Sequence, residues 1–341
     1  MAELNDKFEF EQDGKTYNLY NLPDGFVIKG NVNLSKKGLT ELPDLSKVTV
    51  KGNFICYDNQ LTSLTGAPQE VGGDFKCSYN KLTTLQGAPR EVGGDFYCYN
   101  NQLTSLQGAP QEVGGYFDCS DNSLVSLQGA PQKVGRSFGC YKNQLTTLQG
   151  APQEVGGGFD CNDNQLTTLQ GAPQEVGGYF SCNGNQLITL QGAPKEVGGD
   201  FWCENNKLTT LQGAPQKVGG DFRCDNNKLT SLTGAPQEVG EDFSCSKNND
   251  LLSLFGLPQI QEDKGIHCDD DLVDRYNCPK LKSEYGDFCI KYKDLIESAK
   301  YQSELSVYKI RQKKHEEKKA AQAKLKAGFE AFMKMQTEER E

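Results

Sequence analysis

The sequence is poor in the residues that do chemistry at neutral pH. Only two histidines, His267 and His315, stand in 341 residues, and neither sits in a recognisable catalytic setting. There is no G-x-x-x-x-G-K-[ST] phosphate loop, no G-x-S-x-G elbow and no H-E-x-x-H pair. No run of 18 apolar residues occurs, so no membrane-spanning helix is expected. The first residues, Met1 to Asp6, offer neither the basic nor the apolar region of a secretory signal. Thirteen cysteines without such a signal point to thiols in a reducing compartment. That compartment would be the cytoplasm, of the producing cell or of a host, or a virion. The net charge of −10 disfavours nonspecific nucleic-acid binding by the chain as a whole.

What is abundant is repetition. Cys56, Cys77, Cys98, Cys119, Cys140, Cys161, Cys182, Cys203, Cys224 and Cys245 follow one another at intervals of 21 residues. A fixed period of this size is the mark of a stacked repeat architecture, in which each unit contacts its neighbours. The unit reads V-G-G-D-F-x-C-x-x-N-x-L-T-x-L-x-G-A-P-x-x. Phe and Cys are two apart, so on a strand both point to one face. The two leucines, Leu82 and Leu85 in one unit, turn the chain back over the same interior. Gly-Ala-Pro ends regular structure and Gly-Gly permits a sharp return. One short strand per coil, stacked in parallel, is the expected result. The asparagine three residues after each Cys should bond to backbone groups that the turn leaves unpaired, in its own coil and the next. The thiols share a face with Phe and should be buried and inert.

The F-x-C-x-x-N-x-L-T-x-L core resembles the leucine-rich repeat, with Phe and Cys at two of the leucine positions. The short period and recurring proline are similar to the bacterial effector-type repeats, and the G-A-P-Q-E-V-G-G-D-F variant to arrays of bacteria and their phages. The resemblance covers about residues 30–268. It implies an α+β repeat protein, a leucine-rich-repeat β-solenoid with a parallel concave sheet and little helix in the repeats. It further implies a role in binding protein, no cofactor and no catalytic residue within the repeats. The cysteine-dependent ubiquitin ligase domain of some effectors does not fit, since too few residues follow the repeats.

Three regions follow. Residues 1–29 lie outside the repeat and alternate in polarity about Asp13-Gly14, the signal of a β-hairpin cap. Residues 30–278 form the solenoid with degenerate end repeats, twelve coils in all. Residues 279–341 carry a net charge of +4, from 15 Lys and Arg against 11 Asp and Glu, leaving −14 on residues 1–278. Phe288, Tyr292, Leu295 and Ala299 are spaced as on a helix, and Ala320 to Met335 again favours helix. The extension is therefore read as helical, with Lys309–Lys326 as its basic stretch. That stretch lacks interleaved aromatics, which favours assembly, including docking on an acidic solenoid, over nucleic-acid contact. His267, Cys268, Cys278 and Cys289 are the one group that invites a zinc reading. Their spacing contains no C-x-x-C pair, and no metal is assigned.

Positions that vary while the frame stays constant are the candidates for function. Tyr57, Tyr79, Tyr97, Tyr99, Tyr116 and Tyr141 gather in the first half, and Trp202 with Asp200, Glu204, Asp221 and Asp225 in the second. All should face outward on the concave sheet. Aromatics among acids suit a protein partner with a basic patch. The function expected is non-catalytic protein recognition. A structural component of a larger assembly such as a phage particle, and an enzyme with its active site in the C-terminal segment, are the alternatives.

Overall fold

A computed structural model describes residues 8–251, 254, 256–269, 274, 281–282, 288–298 and 301. The repeats wind into a parallel β-solenoid, one coil per 21 residues. Each coil contributes two strands of two residues, not one. The first is Glu-Val, as in Glu70–Val71, and the second begins with Phe, as in Phe75–Lys76. The valine strands form a parallel sheet of 12, from Val27–Ile28 to Gln259–Ile260. The phenylalanine strands belong to a sheet of 14, of which the last two run antiparallel to their neighbours. Twelve parallel strands in each sheet match the twelve coils counted in the sequence.

Register is unbroken: the repeat length stays at 21 from Phe54 to Phe243, and the longer end repeats, Val32 to Phe54 and Phe243 to Ile266, keep the same pairing. Phe96 pairs with Phe75 and Phe117, and Val113 with Val92 and Val134. Like therefore stacks on like. From Phe54 to Phe243 the rings stack at centroid spacings of 5.1 to 5.5 Å, all buried. Behind them run columns of Cys, of two leucines and of Val, also buried. The thiols donate to carbonyls of the following coil, Cys119 Sγ to Gly139 O at 3.2 Å. Burial pushes these thiols above their ordinary range, as expected of inert packing groups.

The asparagine column joins the coils from inside. Asn143 Nδ2 donates to Cys140 O at 3.1 Å and to Cys119 O at 3.2 Å, and its Oδ1 accepts from Leu124 N at 2.9 Å. The amide thus serves its own coil and the preceding one, where the following coil was expected. Two glycine columns permit the close stacking. A Cβ on Gly156 would lie 2.3 Å from Gly135 O, and Gly171 sits at φ +95° over the Leu148–Gln149 peptide. A side chain in either column would force the coils apart.

Both ends are closed. The hairpin Glu9–Gln12 with Lys15–Asn18 packs Phe10 and Tyr17 against Phe26. Its Gln12 amide donates to Val27 O at 2.9 Å and accepts from Lys29 N at 2.8 Å, standing in for a further strand at the sheet edge. At the other end Phe288–Lys291 pairs antiparallel with Gly265–His267, which reverses direction and stops the stack. Helical spacing was expected to begin at Phe288. The strand wins there because the open edge of Gly265–His267 supplies its partners, and helix begins only at Tyr292, running to Glu297. The rest of the expected helical extension, including Lys309–Lys326, lies outside the described residues. Among those described, no helix is long and apolar enough to cross a membrane.

Candidate functional surface

The outer face of the phenylalanine sheet holds the variable columns. Most of the residues singled out from sequence lie on it, though not as a uniformly wet surface. Ser78, Ser120, Ser137 and Ser181 are buried on that face. The expectation that every such position meets solvent is therefore incorrect. Large neighbours lie down over small ones instead of standing in water. Tyr179 shows this best, since a Cβ on Gly158 would be 2.3 Å from its ring.

The aromatics form two groups. Tyr97 and Tyr99 meet edge to face at 6.1 Å, and Tyr79 meets Tyr99 at 5.4 Å. Tyr79 is half exposed and lies beyond the strand, with φ +53° in the turn before Asn80. The second group crosses the middle of the sheet. Tyr116 and Tyr179 reach toward each other over Ser137 and Gly158, their hydroxyls 3.5 Å apart, and Tyr179 stacks on Trp202 at 5.6 Å. The Trp202 indole N–H is buried without an acceptor among the described residues. Tyr57 lies at the N-terminal end beneath Lys36, whose ammonium is 5.8 Å from the ring. Tyr141 is half-buried, with Lys142 Nζ at 5.8 Å from its ring centroid. Tyr179 is the residue missing from the set chosen on sequence. The signal was a column reading Tyr116, Ser137, Gly158, Tyr179: two small residues between two large ones.

The acids have a second occupation. Asp200 Oδ1 accepts from Asp221 N at 2.8 Å, and Asp221 Oδ1 from Asp242 N at 3.0 Å. Asp225 Oδ1 accepts from Ser246 N and from Ser244 Oγ, and Glu204 from Asn183 Nδ2 at 3.0 Å. One oxygen of each thus supports the next or preceding coil. Asp221 also pairs with Arg223 at 2.8 Å. Burial pushes the carboxyls of Glu204 and Asp225 upward. Around them lies a cleft of about 190 Å³ that also takes in Asp242, Lys247 and His267.

Mid-sheet, Asp118 and Asp160 flank Gly139. Burial is the main cause pushing both upward, Asp160 to about 6, against a hydrogen bond from Asn162 N that favours its charged form. Its ordinary value is 3.8. Between those values the folded chain holds a proton that the unfolded chain has released. Stability from this group therefore falls as pH rises through about 4 to 6 and stays lowered above it. Asp160→Asn, which keeps the acceptor for Asn162, should stabilise the chain at pH 7.5 by about 1–2 kcal/mol. Below pH 4 the gain should vanish. Urea titrations of both proteins at the two pH values check this; a gain that does not depend on pH counts against the burial of a charge as its cause.

The invited zinc group does not converge. His267 Nε2 lies 3.2 Å from Asp242 Oδ2, opposite Cys289 in register, while the next residue, Cys268, turns to the interior. Cys278 lies outside the described residues. Among those described, no three His, Cys, Asp or Glu side chains are grouped to hold a metal.

Fold and surface together define a parallel β-solenoid, a stacked scaffold with one sheet face of variable, aromatic-rich composition. Among solved structures, YopM from Yersinia enterocolitica WA-314 is similar to this chain at 19% identity and a TM-score of 0.35, over 70% of this chain. The chain spans 65% of the length of that protein, and a likeness of this extent says nothing about function. No protein-family model matches the sequence, and no curated protein matches it.

Proposed function

We propose that the chain is a non-catalytic scaffold that binds a protein partner through the outer face of its phenylalanine sheet, taken as the concave face. The observation that supports this most is the run Tyr116, Tyr179, Trp202, with stacked or touching rings held on a rigid sheet. Preorganised aromatics lose little entropy on binding and dominate interface energetics. Tyr57, Tyr79, Tyr97, Tyr99 and Tyr141 extend the same surface toward the N-terminal end. Asp200, Glu204, Asp221 and Asp225 bias it toward a partner with a basic patch; Glu204 and Asp225 line the cleft, and Asp221 is already paired with Arg223.

The full chain carrying Tyr97→Ala, Tyr99→Ala and Trp202→Ala should lose capture of its partner by at least about tenfold. It should keep its cooperative unfolding, because these rings pack outside the core columns. Capture by the unaltered chain should weaken as salt is raised. Pull-down followed by mass spectrometry, run on both proteins, reads the result; equal capture by the triple variant rejects this surface.

A further inference from the structure

The valine sheet has an outer face of its own, and its composition is one-sided. Between Glu70 and Glu238 the outward residue of every strand is glutamate, except Lys133 and Lys217. Those two lysines pair with the next glutamate, Lys133 with Glu154 at 3.1 Å and Lys217 with Glu238 at 3.6 Å. Glu175 and Glu196 stand directly opposite one another in register and have no ion pair among the described residues. Like charges in register repel. Beside them runs a groove of about 590 Å³, from Lys133 to Gly198, with glycines Gly156, Gly177 and Gly198 along it. These carboxylates differ from those of the phenylalanine sheet, where Asp200, Asp221 and Asp225 already accept backbone N–H groups of the next coil and Glu204 the Asn183 amide. At Glu175 and Glu196 the charge is exposed and has no ion pair among the described residues.

The same chain holds the complementary charge. Lys309–Lys326 contains eight Lys and Arg and two acids. Written as a helix, Arg311, Lys314, Lys318, Lys319 and Lys326 fall on one, wholly basic side, and Glu316 and Glu317 on the other together with Lys309, Lys313 and Lys324. The spacing also fits. A helix advances about 5.4 Å per turn, and neighbouring strands of the valine sheet lie about 4.8 Å apart. A helix laid along the stack therefore advances by about one coil per turn over two or three turns. Reach is sufficient: Tyr301 is packed in the core at the C-terminal end. The seven residues to Lys309 span up to about 25 Å, and 18 helical residues cover about 27 Å, or some five coils.

We propose that residues 309–326 dock as a helix on the valine sheet of their own chain, with the basic side over Glu154, Glu175 and Glu196. The docking neutralises the glutamate column and leaves the phenylalanine sheet open. It is independent of the partner-binding role given to that other sheet.

Zero-length carbodiimide cross-linking of the full chain tests it, read by mass spectrometry on an equal mixture of unlabelled and 15N-labelled protein. Lys314, Lys318 or Lys319 should join Glu175 or Glu196 within single isotopic species, and the yield should fall at least fivefold in 0.5 M NaCl, where screening shortens to a few ångströms. In the full chain with Glu154→Gln, Glu175→Gln and Glu196→Gln, amide exchange over 309–326 should quicken at least tenfold while the repeats exchange as before. Links to acids of the phenylalanine sheet overturn the proposal. So do links of mixed isotope, which would place the segment on a second copy, and exchange over 309–326 that the glutamine variant leaves unchanged.

Discussion

Asn164→Ala should destabilise the chain by about 3–6 kcal/mol, from two or three buried backbone groups left unpaired at about 1–3 kcal/mol each. The amide of Asn164 donates to Cys161 O at 3.2 Å and to Cys140 O at 3.1 Å, and it accepts from Leu145 N at 3.0 Å. No water reaches that position from the core side, since Cys161, Leu145 and Leu166 are fully buried. Alanine removes the partner without removing the groups. Asn164→Asp should fare little better: it keeps the acceptor for Leu145 but turns both carbonyl contacts from donated bonds into repulsions. The neighbouring Gln165→Ala, at an exposed position, should change stability by less than about 0.5 kcal/mol. Urea unfolding of the three variants checks the order. If Asn164→Ala unfolds with Gln165→Ala, the column is not what joins the coils.

Phe159→Ala should cost a similar amount, about 3–5 kcal/mol, for a different reason. The ring stacks on Phe138 at 5.3 Å and on Phe180 at 5.4 Å, so its loss opens both of its coil interfaces at once. In a stacked array each unit is held through its neighbours. A cavity at the centre should therefore weaken the coupling between the two halves as well as the whole. Phe159→Leu should recover more than half of the loss by refilling most of the volume. Hydrogen exchange would show the effect as protection lost first across Cys140 to Cys182, with the ends of the array retaining theirs. Uniform loss along the whole array would mean that the coils unfold as one unit and that this interface is not a weak point.

These effects were legible before any coordinates because they lie on invariant columns. A residue that recurs at each 21-residue step must occupy the same environment in every coil, so Phe, Cys, Asn and both leucines could be placed inside by spacing alone. The variable columns were legible only as outward-pointing. Whether an outward residue is wet depends on the size of its neighbours one coil away. Ser181 and Gly158 are buried because Asn162 and Tyr179 lie against them. The Tyr116–Tyr179 contact joins residues 63 apart, a distance at which no local pattern operates.

The sequence by itself determined the period, the interior columns, the asparagine ladder and the hairpin at the N-terminal end. Each of these follows from local chemistry repeated at a constant interval. Only the tertiary structure decided that Glu-Val forms a second strand in every coil, that Phe288–Lys291 closes the stack as a strand, and which aromatics touch. Two extended residues have no strand propensity worth reading. They become a strand when the coils before and after supply the N–H and C=O groups on either side, and that supply exists only once the chain has wound.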